Sequence, residues 1–154
     1  MTKPSVLFVC LGNICRSPLA EAALRKAAAD AGLVIDIDSA GTADYHVGKA
    51  PDPRSVAEAA AFGVDISHLR ARQVTANDFR RFDFIYALDH SNLRDLQRIA
   101  PADATATLAL VLDAVPGREG APVADPYYGG EEDFRATRED VYAAARAIVT
   151  ALSA

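Results

Sequence analysis

The chain has 154 residues, 51% of them hydrophobic, and a formal net charge of −5. This length supports one substantial hydrophobic core but is short for two, so we expect a single domain over residues 1–154. The acidic balance argues against nucleic-acid binding, which needs clustered Lys and Arg, and the lack of a long apolar run or a signal-peptide pattern predicts a cytoplasmic location without membrane insertion.

Short apolar runs rich in β-branched residues alternate with helical patterns along the chain. The predicted strands cover residues 6–9, 34–38, 84–88 and 108–112. The predicted helices cover residues 18–31, 52–63, 75–82, 90–100 and 131–152. This alternation predicts a single-domain, three-layer α/β fold in which helices flank a four-stranded parallel sheet on both sides.

Capping signals and periodicity define the first and last helices. Ser17 is the predicted N-cap of the first helix, Pro18 its first helical residue and Gly32 its stop. Apolar residues recur on one face of the last helix, which predicts a core-facing stripe; they are Phe134, Val141, Ala145, Ile148, Val149 and Leu152. A Gly- and Pro-rich loop at 113–130 precedes that helix, and loops of this length in compact domains are usually functional or disordered.

The segment CLGNICRSP at residues 10–18 contains both cysteines and joins the first predicted strand to the first predicted helix. Such a loop lies over a helix N-terminus, where backbone N–H groups and the helix dipole attract anions. Gly12 and Asn13 tolerate the backbone of a tight turn, and Arg16 can offer a planar fork to two phosphate oxygens. The same surroundings favour the thiolate form of Cys10, which is the nucleophilic form.

The strand and helix around this string make it far more specific than a Cys and an Arg six positions apart. The string resembles the low-molecular-weight protein tyrosine phosphatase family. The resemblance continues through DSAGT at 38, HLRARQVTANDF at 68, DHSNLRDL at 89 and DPYYGG at 125. It implies hydrolysis of phosphotyrosine and small aryl phosphates through a phosphocysteine, with no metal and no cofactor. It also implies tyrosine-phosphorylated proteins as partners and inorganic phosphate as product and inhibitor.

Three residues carry the predicted chemistry: Cys10 as nucleophile, Arg16 as the charge that stabilises the phosphoryl group, and Asp125 as general acid. An aryl phosphate breaks fastest when its departing oxygen is protonated, and Pro126 biases Asp125 toward an extended backbone that can hold its carboxyl over the loop. The match to the family's DPYY segment implies the same role for Asp125. Because the acid must be protonated while the thiol is ionised, we expect the rate to show a bell-shaped dependence on pH on the acidic side of neutrality.

Further residues are predicted to bind substrate or to support the loop. The substrate-binding set is Leu11, Gly12, Asn13, Ile14, Cys15, Arg16, Ser17, Tyr45, Tyr127 and Tyr128. An apolar Ile14, where related arginine phosphatases carry a threonine, favours tyrosine substrates. The family match implies a supporting role for Asn13, Ser17, Ser39, His68 and Asp89.

The role of Cys15 stays open between a structural residue and a redox partner that forms a disulfide with an oxidised Cys10. Three other functions are weighed against the phosphatase: a cysteine phosphocarrier, an arsenate reductase and a dithiol redox sensor. The carrier does not require both Arg16 and a remote acid, and the reductase needs relay cysteines beyond Cys15. We expect a monomer or weak self-association.

Overall fold

The computed structural model describes residues 3–153. Its strands are Ser5–Cys10 (β1), Asp36–Gly41 (β2), Phe84–Ala87 (β3) and Thr107–Leu110 (β4). Its helices are Arg16–Ala31 (α1), Pro53–Ala60 (α2), Asp78–Arg81 (α3), His90–Ile99 (α4) and Glu131–Ser153 (α5), and a 3-10 turn covers Val111–Ala114. The strands form one parallel sheet in the order β2-β1-β3-β4, which confirms the predicted α/β fold.

The strand order places the first loop at a reversal point of the sheet. Strand β2 pairs with one edge of β1, and β3 pairs with the opposite edge, so the strand order reverses at β1. Cys10, the last residue of β1, pairs with Gly41, the last residue of β2. Ligand sites of open parallel sheets lie beyond the carboxyl ends of the strands at such a reversal, so the fold sets residues 11–15 where a ligand would bind.

All six residues of β1 are buried, and its apolar residues belong to two hydrophobic clusters. Val6 and Phe8 belong to the cluster shared with α1 and α5. Leu7 and Val9 belong to the other cluster, which includes Phe79 and residues of β3, α4 and β4. A central strand covered on both faces needs a continuous apolar run, and the two clusters are the interfaces of a three-layer fold.

Several element ends differ from their predicted positions. Helix α1 begins at Arg16 with Cys15 as N-cap, so the prediction that Ser17 caps it is wrong. The strand predicted at 34–38 begins at Asp36, and Val34 is 68% exposed. The strand predicted at 108–112 ends at Leu110, because its last apolar residues are buried in a 3-10 turn instead of an extended chain.

The predicted end of α1 and the predicted apolar stripe of α5 are confirmed. Gly32 ends α1 in a left-handed conformation with φ of 67°. The predicted stripe on the last helix is buried from Phe134 to Val149, and Leu152 packs against its edge. Between residues 3 and 153, no helix combines the length and apolar character needed to cross a lipid bilayer.

Candidate active site

The carbonyl groups of the loop between β1 and α1 bond to neighbouring segments. Thr42 N–H donates to the Cys10 carbonyl and Ala43 N–H to the Leu11 carbonyl, each at 2.9 Å. On the far side of the loop, Asp52 N–H donates to the Ile14 carbonyl at 2.8 Å. With its carbonyls held by the residues that follow β2 and by the N-cap residue of α2, the loop has a fixed curvature.

The amide groups of the loop are left for a ligand. Asn13 N–H points to Cys10 Sγ at 3.3 Å. In the described part of the chain, the N–H groups of Gly12, Ile14 and Cys15 donate to no protein acceptor. Asn13 adopts a positive φ of 59°, which Asn tolerates better than most residues. Unpaired amides beside a helix N-terminus form a binding site for a tetrahedral oxyanion.

Cys10 Sγ lies 3.0 Å from Ser17 Oγ in the buried base of the loop. Asn13 Nδ2 donates to the same hydroxyl oxygen at 2.8 Å, so the hydroxyl proton can point toward the sulfur, and the Ala40 carbonyl at 3.4 Å is its other acceptor. Two donors, the Asn13 amide and the Ser17 hydroxyl, can therefore stabilise a thiolate at Cys10. The contact also explains why Ser17 does not cap the helix.

A buried polar chain supports this base. Asn13 Nδ2 donates to Ser39 Oγ at 3.0 Å, and Ser39 Oγ donates to Glu21 Oε1 at 2.8 Å. Burial raises the pKa of Glu21, while hydrogen bonds from Arg25 and Ser39 oppose that rise. Asn13 Oδ1 accepts the backbone N–H of Arg72 at 3.1 Å. Asn13 is thus held at both ends of its side-chain amide.

Arg16 is 3% exposed and lines the same pocket as Cys10. Its Nη1 donates to Asp89 Oδ2 at 2.7 Å and to the Val123 carbonyl at 2.9 Å. Asp89 is the N-cap of α4, where it accepts Asn92 N–H. The guanidinium is therefore fixed from the end of β3, and this is the support predicted for Asp89.

Asp125 lies at the mouth of the pocket with 48% of its side chain exposed. Its Oδ2 is 3.7 Å from Arg16 Nη2, and its Oδ1 accepts Tyr127 N–H at 3.1 Å. The pocket measures about 400 Å³. Its walls include the predicted aromatic and apolar residues Leu11, Ile14, Tyr45, Tyr127 and Tyr128. A carboxyl at the rim above a thiol at the base matches the roles of general acid and nucleophile.

The second thiol has a different environment. Cys15 is buried, and its Sγ faces Asp52 Oδ2 at 3.9 Å. Burial, followed by the negative charge of Asp52, raises the pKa of Cys15 from 9.0 to about 12. Both cysteines are free thiols in this structure.

One predicted supporting residue lies elsewhere. His68 has an exposed side chain with no hydrogen bond to the loop among the residues that the structure describes, and the Arg72 backbone contacts Asn13 instead. The sequence reasoning also missed two residues. One is His46, which lines the pocket and faces Gly12, where an added Cβ would lie 2.6 Å from the His46 ring. The other is Glu21, which accepts the Ser39 hydroxyl. A lone glutamate within the predicted first helix does not indicate such a contact.

A family model described as low molecular weight phosphotyrosine protein phosphatase matches residues 5–154. A protein of that name from Schizosaccharomyces pombe is 46% identical over 138 residues, which cover 87% of this chain and 88% of the relative. A protein tyrosine phosphatase from Entamoeba histolytica has a crystal structure with a TM-score of 0.91 at 34% identity, covering 98% of this chain and 97% of that one. The crystal structure of an arginine phosphatase from Drosophila has a TM-score of 0.90 at 30% identity, covering 97% of this chain and 98% of that one.

A thiol beneath unpaired loop amides, with a buried arginine beside it, defines a site where sulfur can attack the phosphorus of a bound phosphate ester. The chain belongs to the low molecular weight phosphotyrosine protein phosphatase family. The family resemblance of the CLGNICRSP segment is thereby confirmed, together with the fold that it implied.

Proposed function

We propose that the protein hydrolyses phosphotyrosine in proteins, and small aryl phosphates, through a phosphocysteine intermediate. The observation that carries the proposal is the environment of Cys10, whose sulfur accepts the Asn13 N–H and lies 3.0 Å from the Ser17 hydroxyl oxygen, beneath the unpaired amides of the loop. Tyrosine-phosphorylated proteins of the cytoplasm are the proposed substrates, and inorganic phosphate is the product and a competitive inhibitor.

The proposed reaction has two displacements. In the first, the Cys10 thiolate attacks phosphorus, the bond from phosphorus to the aryl oxygen breaks, and Asp125 gives its proton to that oxygen. In the second, Asp125 takes a proton from water as the water attacks phosphorus, and the sulfur leaves as a thiolate beside the Ser17 hydroxyl. Arg16 and the loop amides stabilise the charge on the transferring phosphoryl group in both steps.

The pocket walls support a tyrosine substrate. Leu11 and Tyr127 line the pocket and are 43% and 38% exposed, so their apolar atoms are available to contact an aryl ring. The Drosophila neighbour, named an arginine phosphatase, shares the fold. Phosphoarginine is therefore the specific alternative substrate, and the apolar Ile14 in the loop favours the aryl ester over it.

Steady-state hydrolysis tests the proposal. We expect wild type to hydrolyse a phosphotyrosine peptide with a kcat/KM at least about tenfold above that for phosphoarginine. Cys10→Ser should abolish turnover, because the hydroxyl is not ionised near neutral pH. Faster hydrolysis of phosphoarginine would contradict the substrate assignment. No turnover of either substrate by folded wild type would contradict the activity and favour a phosphocarrier or a redox sensor.

A further inference from the structure

The segment that carries Asp125, residues 115–130, has few contacts of its own with residues 11–15, which we call the phosphate loop. It lies between a 3-10 turn and α5 and contains no strand or helix from 115 to 130. The direct contact of Asp125 is the 3.7 Å ion pair with Arg16, which is longer than a hydrogen bond. The Val123 carbonyl accepts Arg16 Nη1 at 2.9 Å, which holds the chain two positions before Asp125. Catalysis by a general acid depends on its position to about 1 Å, so the chain that follows Asp125 must be held as well.

Arg54 contacts the segment at two carbonyl groups. Its Nη2 donates to the Tyr127 carbonyl at 3.1 Å and its Nη1 to the Gly129 carbonyl at 3.3 Å. Its guanidinium also lies 4.3 Å from the Phe134 ring centroid and 5.7 Å from the Tyr127 ring centroid. These contacts span the turn that begins immediately after Asp125 and Pro126 and continue into the first residues of α5.

The same guanidinium is fixed to the base of the site. Its Nε and Nη2 form a fork on the two carboxylate oxygens of Asp52, at 3.0 and 2.9 Å. Hydrogen bonds from Arg54 lower the pKa of Asp52, so this partner stays ionised. Asp52 caps α2 through Arg54 N–H, and its own N–H bonds the Ile14 carbonyl of the phosphate loop.

We infer that Arg54 is a positioning residue for the general acid. It joins the segment that carries Asp125 to the phosphate loop through Asp52, and it sets the height of the carboxyl above the thiol. The inference rests on the role of Asp125 under the proposed function. Lysine cannot replace Arg54, because an ammonium has no planar fork with which to bond one carboxylate and two carbonyls together.

The leaving group of the substrate reports on the position of the acid. Nitrophenolate departs with little help from a proton, whereas the phenolate of phenyl phosphate needs one. For Arg54→Met, which keeps the backbone N–H that bonds Asp52, we expect kcat/KM for phenyl phosphate to fall about tenfold and that for p-nitrophenyl phosphate to change little. The inhibition constant of inorganic phosphate should be unchanged, because Arg16 and the loop amides remain.

Two further variants keep the test decisive. Arg54→Lys, which retains the charge, should show the same selective loss for phenyl phosphate if the fork is what matters. Arg80→Met is the matched control, since Arg80 is an exposed arginine whose ion pair with Asp103 lies outside the pocket. We expect this control to leave both substrates unaffected. An equal loss on both substrates in a folded Arg54 variant would overturn the inference.

The Asp125→Ala background separates this inference from the proposed function. There the acid is gone, so adding Arg54→Met should cause no further selective loss of kcat/KM for phenyl phosphate. A further loss of the same size would overturn the role of Arg54. If Asp125→Ala alone shows no preference for the better leaving group, the assignment of the acid fails. If Asp125→Ala shows the preference and Arg54→Met does not, the acid stands and only Arg54 is excluded.

Discussion

Cys10 and Cys15 are five positions apart in one loop, but their neighbours differ in kind. Cys10 faces hydrogen-bond donors, the Asn13 N–H and the Ser17 hydroxyl. Cys15 faces the carboxylate of Asp52. Spacing alone could not distinguish the two thiols, because the carboxylate that faces Cys15 belongs to Asp52, which the fold brings in from the N-cap of α2.

The raised pKa of Cys15 predicts a pH dependence of stability. In the unfolded chain this thiol ionises near 9.0, whereas in the folded protein it stays protonated up to about 12. Between these two pH values the folded state keeps a proton that the unfolded state has lost. The contribution of Cys15 to the free energy of unfolding is therefore complete below pH 9.0 and is lost as the pH rises toward about 12. The Cys15→Ala variant has no thiol at this position, so its stability does not fall with pH for this reason.

The measurement is the free energy of unfolding by urea for wild type and Cys15→Ala at a series of alkaline pH values. The advantage of wild type over the variant should shrink as pH rises from 9.0 toward about 12. A difference that stays constant with pH would show that burial and Asp52 do not hold the Cys15 proton.

At the scale of elements, the end of β2 shapes the phosphate loop. A Cβ at Gly41 would lie 2.6 Å from the Leu11 carbonyl oxygen and 3.1 Å from the Gly12 carbonyl carbon. Both are backbone atoms that cannot rotate away. The absence of a side chain at Gly41 therefore lets β2 approach the loop closely enough for its next residues to hold the loop carbonyls.

Gly41→Ala should displace the loop. We expect a destabilisation of about 1–3 kcal/mol from overpacking, with a weaker affinity for inorganic phosphate and a lower kcat/KM. Gly32→Ala is the matched control, because it strains a left-handed residue at the far end of α1 with no atom within 4 Å of the added Cβ. The control should lose stability but keep its phosphate affinity. Unchanged phosphate binding in Gly41→Ala would mean that the loop tolerates the shift.

The elements themselves were largely readable from the sequence, since the apolar run of β1 and the stripe on α5 report burial directly. Element ends were not, because Val111 is equally well buried in a strand or in a turn. The supporting polar contacts were also hidden. Arg54 meets the Tyr127 carbonyl 73 positions away, and an arginine in a helix pattern is usually a solvated residue.

At the scale of the whole molecule, parallel topology gathers the site from distant parts of the chain. β1 ends at Cys10, β3 is followed by Asp89, and the segment after β4 carries Asp125. Because parallel strands end at the same edge of the sheet, these side chains converge although more than a hundred positions separate the first from the last. The family motif predicted the loop and the acid, whereas only the fold shows that Asp89 holds Arg16.

The account depends most on the sulfur of Cys10 as the atom that receives the phosphoryl group. Asp125→Ala offers the clearest view, because nitrophenolate leaves without the acid while water attack on the phosphocysteine lacks its base. Rapid acid quenching of this variant during turnover of p-nitrophenyl phosphate, followed by peptide mass spectrometry, should find one phosphoryl group on Cys10 and none on Cys15. A phosphoryl group on any other residue, or a turning-over enzyme with unmodified Cys10 throughout, would contradict the account.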